Sequence, residues 1–362
     1  MKVSNEKRMQ HSKDIQLQKE KLQKEIENIA LNYTDSPEKL AELAEFRSRF
    51  HNYSVRNTML IYAQNPAASF IGSYARFKEL GKEIAVENGE FDDKGNIPYF
   101  GVKAGQTGMK IFVPAEITFI CVDKVNNEWI RMSEATAQQK NAAKAGTLET
   151  KTGLTFRLGT VFDISQTAIP SKYYPQIYSM GYSSEQHAEI FEGLKAYIEN
   201  ELDCPVKIEI DNSITLRGFC YTSEIKGIGL NNRLEDTQRL STLCHELGHF
   251  LMHRTKEAEN KLSAQREVEA DIYNIMLNSH FGIETNDIRK AHLAGSYRQY
   301  TEAISEMGSK ANGDKNAFEN LETIFSNAGR AFNESIQEID SYVNLYVSEM
   351  KAETAEEYSI EA

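Results

Sequence analysis

Between Leu240 and Arg254 the chain reads LSTLCHELGHFLMHR, which places His245, Glu246 and His249 in an H-E-x-x-H spacing. No other feature constrains the fold as strongly, because this spacing makes a site only if the segment is helical. Positions four apart on an α-helix stand one turn above each other, so the two imidazoles can reach a single ion. With Leu240 set at 0°, Leu243, Leu247, Phe250 and Leu251 fall within about 80° of it, whereas His245, Glu246 and His249 fall between about 140° and 240°. The predicted helix therefore has one face for packing and another for chemistry. Cys244 falls on the packing face and reads as a small core residue.

Two histidines leave a catalytic metal under-coordinated, since such a site takes three protein ligands and keeps one open position. A second helix is predicted downstream over REVEADIYNIMLN, Arg266 to Asn278, with Ser263 as its N-cap. With Glu267 at 0°, Asp271, Asn274 and Asn278 fall within about 40°, while Glu269 points away at about 200°. Glu267, eighteen positions after His249, is the expected third ligand. Asp271, one turn on, is the expected carboxylate that orients a ligand histidine. The competing reading is a solvated acidic helix face. Glu246 is the expected general base. His253 lies too far along the axis to share the ion and reads as a supporting residue. His280, Tyr297 and Tyr300 are candidates for stabilising an oxyanion.

The run HELGHFLMH followed by EVEAD resembles the ImmA/IrrE-type zinc metallopeptidases. The resemblance implies a zincin-like α+β domain, a Zn²⁺ cofactor, and a strand over Gly227 to Leu234 just before the active-site helix.

The 362 residues suffice for two or three domains. No run of about 18 uncharged apolar residues occurs and the first residues show no apolar leader, so neither a membrane span nor a secretory signal is expected. Four cysteines without a C-x-x-C pair suit a reducing compartment, so a cytoplasmic protein is expected. The net charge of −12 is carried downstream, because the first 115 residues hold 17 Lys and Arg against 15 Asp and Glu. Such a mean field does not draw in a polyanion, although local binding stays open.

A local candidate exists. Phe46 to Lys78 contains no Asp or Glu, and its arginines alternate with Phe46, Phe50, Tyr53, Tyr62, Phe70, Tyr74 and Phe77. Cations beside aromatic faces suit single-stranded nucleic acid; aromatics at helical spacing equally fill cores. The run YSVRNTMLIYAQNPAASFIGSYARFKELGKEI, then KAGQTGMKIFVP and VFDISQT, resembles the N-terminal domain of the ArdC antirestriction family. That resemblance implies a single-stranded-DNA-binding domain ahead of a zinc metallopeptidase. The expected DNA contacts are Arg56, Asn57, Gln64, Lys103 and Lys110. Gly105 and Gly108 in KAGQTG mark either a phosphate-contacting loop or a hairpin turn.

The expected organisation is a helical arm over 1–35, an ArdC-like α+β domain over 36–170, a zincin-like domain over 171–300, and a helical extension with a disordered tail over 301–362. The segment Met132 to Gly153 reads as a surface helix or loop, and Tyr173 to Tyr182 as a connector. Two functional readings follow. One is a zinc endopeptidase joined to a single-stranded-DNA-binding domain in an antirestriction protein of a mobile element. The other is a DNA-protecting protein whose zincin domain is structural or barely active.

Overall fold

The computed structural model describes residues 2–34, 36–92, 94–174, 186–209, 217–221, 225–311 and 317–360. The connector at 175–182 lies outside them, as does Ile210, which ends the strand that the alternating run VKIEI, Val206 to Ile210, predicts. Two compact units emerge, residues 1–21 with 71–173 and residues 22–70 with 174–362. The boundaries thus differ from the expected ones, because residues 36–70 pack within the second unit.

Three helices open the chain, α1 (Lys2–Thr34), α2 (Pro37–Arg49) and α3 (Val55–Gln64). Along α1, Leu22, Ile26, Ala30 and Tyr33 recur at helical spacing and are buried, so this stretch of the arm is docked. Ser36 caps α2 by accepting from the Lys39 amide, with Pro37 in the first turn. Phe46 and Phe50 are buried and cluster with Tyr62. Arg47 is buried too, donating to the carbonyls of Phe50 and Tyr53 and to Thr58 Oγ1. This part of the basic and aromatic run is core, the second of the two readings its composition left open: the aromatics sit at helical spacing on the packed faces.

The first unit continues with β1 (Ile71–Gly72), α4 (Tyr74–Glu87), β2 (Met109–Asp123), β3 (Glu128–Arg131), α5 (Ala137–Lys144) and β4 (Thr150–Asp163). Its sheet has the order β1-β4-β2-β3, antiparallel throughout. Ile111 and Val113, in IFVP, and Ile117 to Asp123 belong to one strand, so KAGQTG precedes β2 and is not a hairpin turn. Pro114 is accommodated because β2 pairs with β3 only from Phe119 onward, leaving that edge without a partner strand at the proline. The loop is instead clasped by the 3₁₀ turn Ile164–Gln166: the Lys103 amide donates to the Gln166 carbonyl and Gln166 Nε2 to the Thr107 carbonyl. Helix α5 has a capping box formed by Thr136 and Gln139 and no buried residue, as expected for a surface helix.

The second unit adds α6 (His187–Asn200), β5 (Val206–Glu209), β6 (Gly218–Cys220), β7 (Ile228–Asn231), α7 (Asp236–Met252), α8 (Lys256–Glu259), α9 (Ser263–His280), α10 (Asp287–Ala311) and α11 (Ala317–Ile360). β7 lies central, parallel to β5 and antiparallel to β6. The order of helix, small sheet, H-E-x-x-H helix and ligand helix is that of a zincin-like α+β domain. Ser263 is the first residue of α9 and not its cap, since Leu262 occupies the cap position. The tail expected to be disordered is helical through Ile360, in keeping with the strong helix propensity of its Ala and Glu residues. No described helix is long and apolar enough to cross a membrane.

α6 and α11 approach closely at Gly193, where a Cβ would lie 2.7 Å from Val343 Cα. Gly193→Ala gains about 1 kcal/mol in helix propensity but forces backbone apart, at a typical overpacking cost of about 1–3 kcal/mol. Urea denaturation followed by circular dichroism is expected to show a lower midpoint for Gly193→Ala.

Candidate metal centre

Helix α7 is fixed by Leu240, Leu243 and Leu247, all fully buried, and this leaves His245, Glu246 and His249 turned toward α9. The two helices meet at small residues: a Cβ on Gly248 would lie 3.2 Å from Ala270 Cα and 3.3 Å from Tyr273 Cδ1. Glycine thus lets α9 come near enough for Glu267 to reach both histidines. His245 Nε2 and His249 Nε2 are 3.2 Å apart, and each is 3.7 Å from a Glu267 oxygen. Ligand atoms about 2.1 Å from a tetrahedral ion stand about 3.4 Å from each other. The donor set therefore fits a divalent ion bound by two imidazole nitrogens and a carboxylate.

Charge follows from this convergence. The imidazoles of His245 and His249 beside it hold the Glu267 carboxyl well below the usual carboxylate range, against the effect of burial. Burial disfavours the His245 imidazolium, but Asp271 and Glu267 outweigh it and raise its pKa to about 9. Glu246 is buried and its pKa is raised, chiefly by loss of solvent.

Asp271, fully buried, lies 3.1 Å from His245 Nδ1, where it can orient that ring as expected. It also accepts from Arg289 Nη1 at 2.8 Å and from His292 Nδ1 at 2.6 Å. Asn274 and Asn278 continue the stripe and donate to the Ser241 carbonyl and hydroxyl. The stripe faces α7, so the reading as a solvated acidic face is overturned.

Arg289 and His292 were missed in the sequence. The usable signal was their spacing of three on α10, which puts both on one helix face. Glu269, expected to point away from the site, is fully buried and bonded to His253. The proposed oxyanion donors are elsewhere: His280 bonds Asp340, and Tyr297 and Tyr300 are buried in the core.

Two adjoining hollows, of about 330 and 370 Å³, share Gly218, His245 and Glu246 in their walls. Arg289 and His292 line the first, and Cys220 and Glu267 the second. Strand β6 lies against the helix so closely that a Cβ on Gly218 would stand 3.2 Å from Glu246 Cγ.

The expected DNA contacts are divided between the two units. Arg56, in the second unit, pairs with Glu322 and lies over the Phe318 ring. The Asn57 amide donates to Ser54, and Gln64 Nε2 to the Leu60 carbonyl. Lys103 and Lys110 belong to the first unit, Lys103 exposed and Lys110 bonded to Thr160 Oγ1.

The raised pKa of His245 stabilises the metal-free protein. That contribution is complete below the ordinary value of 6.5 and is lost as pH rises through about 9. Glu267 and Asp271 stay ionised across this window and add no slope. The urea midpoint of chelator-treated protein should therefore fall between pH 6.5 and 9, and Asp271→Asn should flatten the fall.

Residues 199–306 match the model of the IrrE N-terminal-like domain, Peptidase_M78. An uncharacterised protein of Bacillus anthracis, pXO2-81, is 30% identical over 292 residues, covering 76% of this chain and 46% of that one. The chain thus spans about half the length of this relative. Among solved structures, the metal-free antirestriction protein ArdC of plasmid R388 is 16% identical with a TM-score of 0.39, covering 82% of this chain and 86% of that one. Its Mn(II)-bound form is 14% identical with a TM-score of 0.37, covering 82% and 97%. The segment similar to the IrrE N-terminal-like domain, residues 199–306, holds β5 to β7, α7 and α9 with all three convergent donors.

Proposed function

We propose that the second unit is a zinc-dependent endopeptidase. The observation that carries this reading is Glu246, buried in the wall of a hollow beside the convergent His245, His249 and Glu267. When bound, zinc would polarise the scissile carbonyl and lower the pKa of water to about 7. Glu246 takes the proton of the attacking water and passes it to the leaving amine, a shuttle suited by its raised pKa. Strand β6 has its other edge free of any described partner strand, and an extended peptide can pair there and cross Glu246. Arg289 and His292 supply N–H donors in the same hollow.

A purely structural ion has no use for a base, so Glu246 favours the enzyme over a structural zincin. In Glu246→Gln, zinc content by metal analysis should be unchanged, while peptide cleavage falls about 10²- to 10⁴-fold. Undiminished cleavage would defeat the reading.

A second activity rests on a separate observation. On one face of the first unit's sheet, Phe119 is paired with Arg131 and Lys151, and Trp129 with Cys121. Lys151 Nζ lies 4.1 Å from the Trp129 ring centre and 5.9 Å from that of Phe119. Aromatic faces ringed by exposed Lys151 and Arg131 suit stacked bases with phosphates beside them. We infer that this face binds single-stranded DNA, consistent with the ArdC-like motifs and with an antirestriction role in the cytoplasm. Trp129 is the single tryptophan of the chain, so intrinsic fluorescence reports on this face. A single-stranded oligonucleotide should quench it, more strongly at low salt, and Trp129→Ala should lose about 1–3 kcal/mol of affinity by anisotropy of a labelled oligonucleotide. Unchanged fluorescence at low salt would remove the inference.

A further inference from the structure

The two histidines of the metal centre are supported differently. His245 has a carboxylate directly behind it, with Nδ1 3.1 Å from Asp271 Oδ1. His249 has none. Its Nδ1 lies 3.0 Å from Nδ1 of His253, whose Nε2 lies 2.9 Å from Glu269 Oε2. Glu269 is fully buried and accepts further bonds from Lys261 Nζ, Gln265 Nε2 and Asn327 Nδ2. We propose that Glu269, acting through His253, fixes the tautomer of His249 so that its Nε2 offers a lone pair toward His245 and Glu267. Both are positioning residues, and the proposal rests on the metal-binding reading of the site.

The argument is one of proton positions. A carboxylate held by four donors can only accept, so His253 must carry its proton on Nε2. A neutral imidazole then presents a lone pair at Nδ1. The facing nitrogen, His249 Nδ1, must donate, which leaves His249 Nε2 unprotonated and able to coordinate. Reversing any one link puts a proton on His249 Nε2, where it blocks coordination. Gln265 and Asn327 hold Glu269 Oε1 while Lys261 and His253 share Oε2, so the carboxylate is prevented from turning. Its ends are tied to α9 itself, to α11 and to the segment between α8 and α9.

The test uses the full chain with ¹⁵N-labelled histidine, stripped of metal and held at pH 8. Long-range ¹H–¹⁵N correlation reads each tautomer, with His249 assigned by its loss in His249→Gln. The wild type should show His249 protonated on Nδ1. In Glu269→Ala, the acceptor behind His253 is gone and only the donors of Lys261, Gln265 and Asn327 remain near its Nε2, so the His249 population should shift toward protonation on Nε2. Zinc affinity, measured by competition with a chromophoric chelator, should weaken about 10- to 100-fold in Glu269→Ala and His253→Phe. His253→Gln keeps a donor toward Glu269 and an acceptor toward His249, and should restore most of the affinity lost in His253→Phe. A residue that merely filled space would shift stability without inverting the tautomer. His249 protonated on Nε2 in the wild type overturns the relay, as does a Glu269→Ala protein with unaltered tautomer and zinc affinity. A wild type that binds no zinc at all defeats the metal reading instead.

Discussion

Asp271 has no contact with solvent, yet it accepts from His245, Arg289 and His292. Burying one carboxylate costs several kcal/mol unless charged partners and hydrogen bonds offset it. Here the offset ties three helices together, because His245 is on α7, Asp271 on α9, and Arg289 and His292 on α10. Burial opposes ionisation, and the three cations and donors outweigh it, holding the Asp271 carboxyl far below its usual range. Removing Asp271 leaves Arg289 and His245 facing each other 3.1 Å apart with nothing between them. The orientation of the first imidazole and the wall of the hollow next to it thus depend on one buried charge.

Much of this centre was legible in the sequence because helical periodicity governs both ligand helices. His245, Glu246 and His249 share a face by spacing alone, and the stripe from Glu267 through Asp271 to Asn278 identified the side of α9 that meets α7. Periodicity failed at Glu269 for a physical reason. A wheel distinguishes one face from its opposite only when the opposite face meets water. α9 is packed by α2, α7, α10 and α11, so its far side is also interior and can carry a second bonded carboxylate. Arg289 and His292 escaped because no local pattern says where α10 returns.

The first unit shows the opposite balance. Its motifs KAGQTG and VFDISQT do meet, through backbone bonds of Lys103 and the Gln166 side chain. The basic and aromatic run, however, is compositional, and composition does not say which way a ring points. Phe46, Phe50 and Phe77 point into cores. The pairing of Trp129, Phe119 and Lys151 across three strands depends on sheet register, which no stretch of sequence near any one of them encodes.

The surroundings of α9 set a limit on how the centre can open. An unbroken run from Val268 to Asn278 is buried, and Glu267 stands immediately before it. Segments of this kind exchange their amide hydrogens only when most of a domain opens, unlike frayed termini or lids. The third donor therefore sits on the part of the unit least able to come loose by itself. An ion held there would leave through displacement at its solvent-facing side rather than by partial melting of the helix, which makes its residence time a matter of ligand exchange and not of fraying.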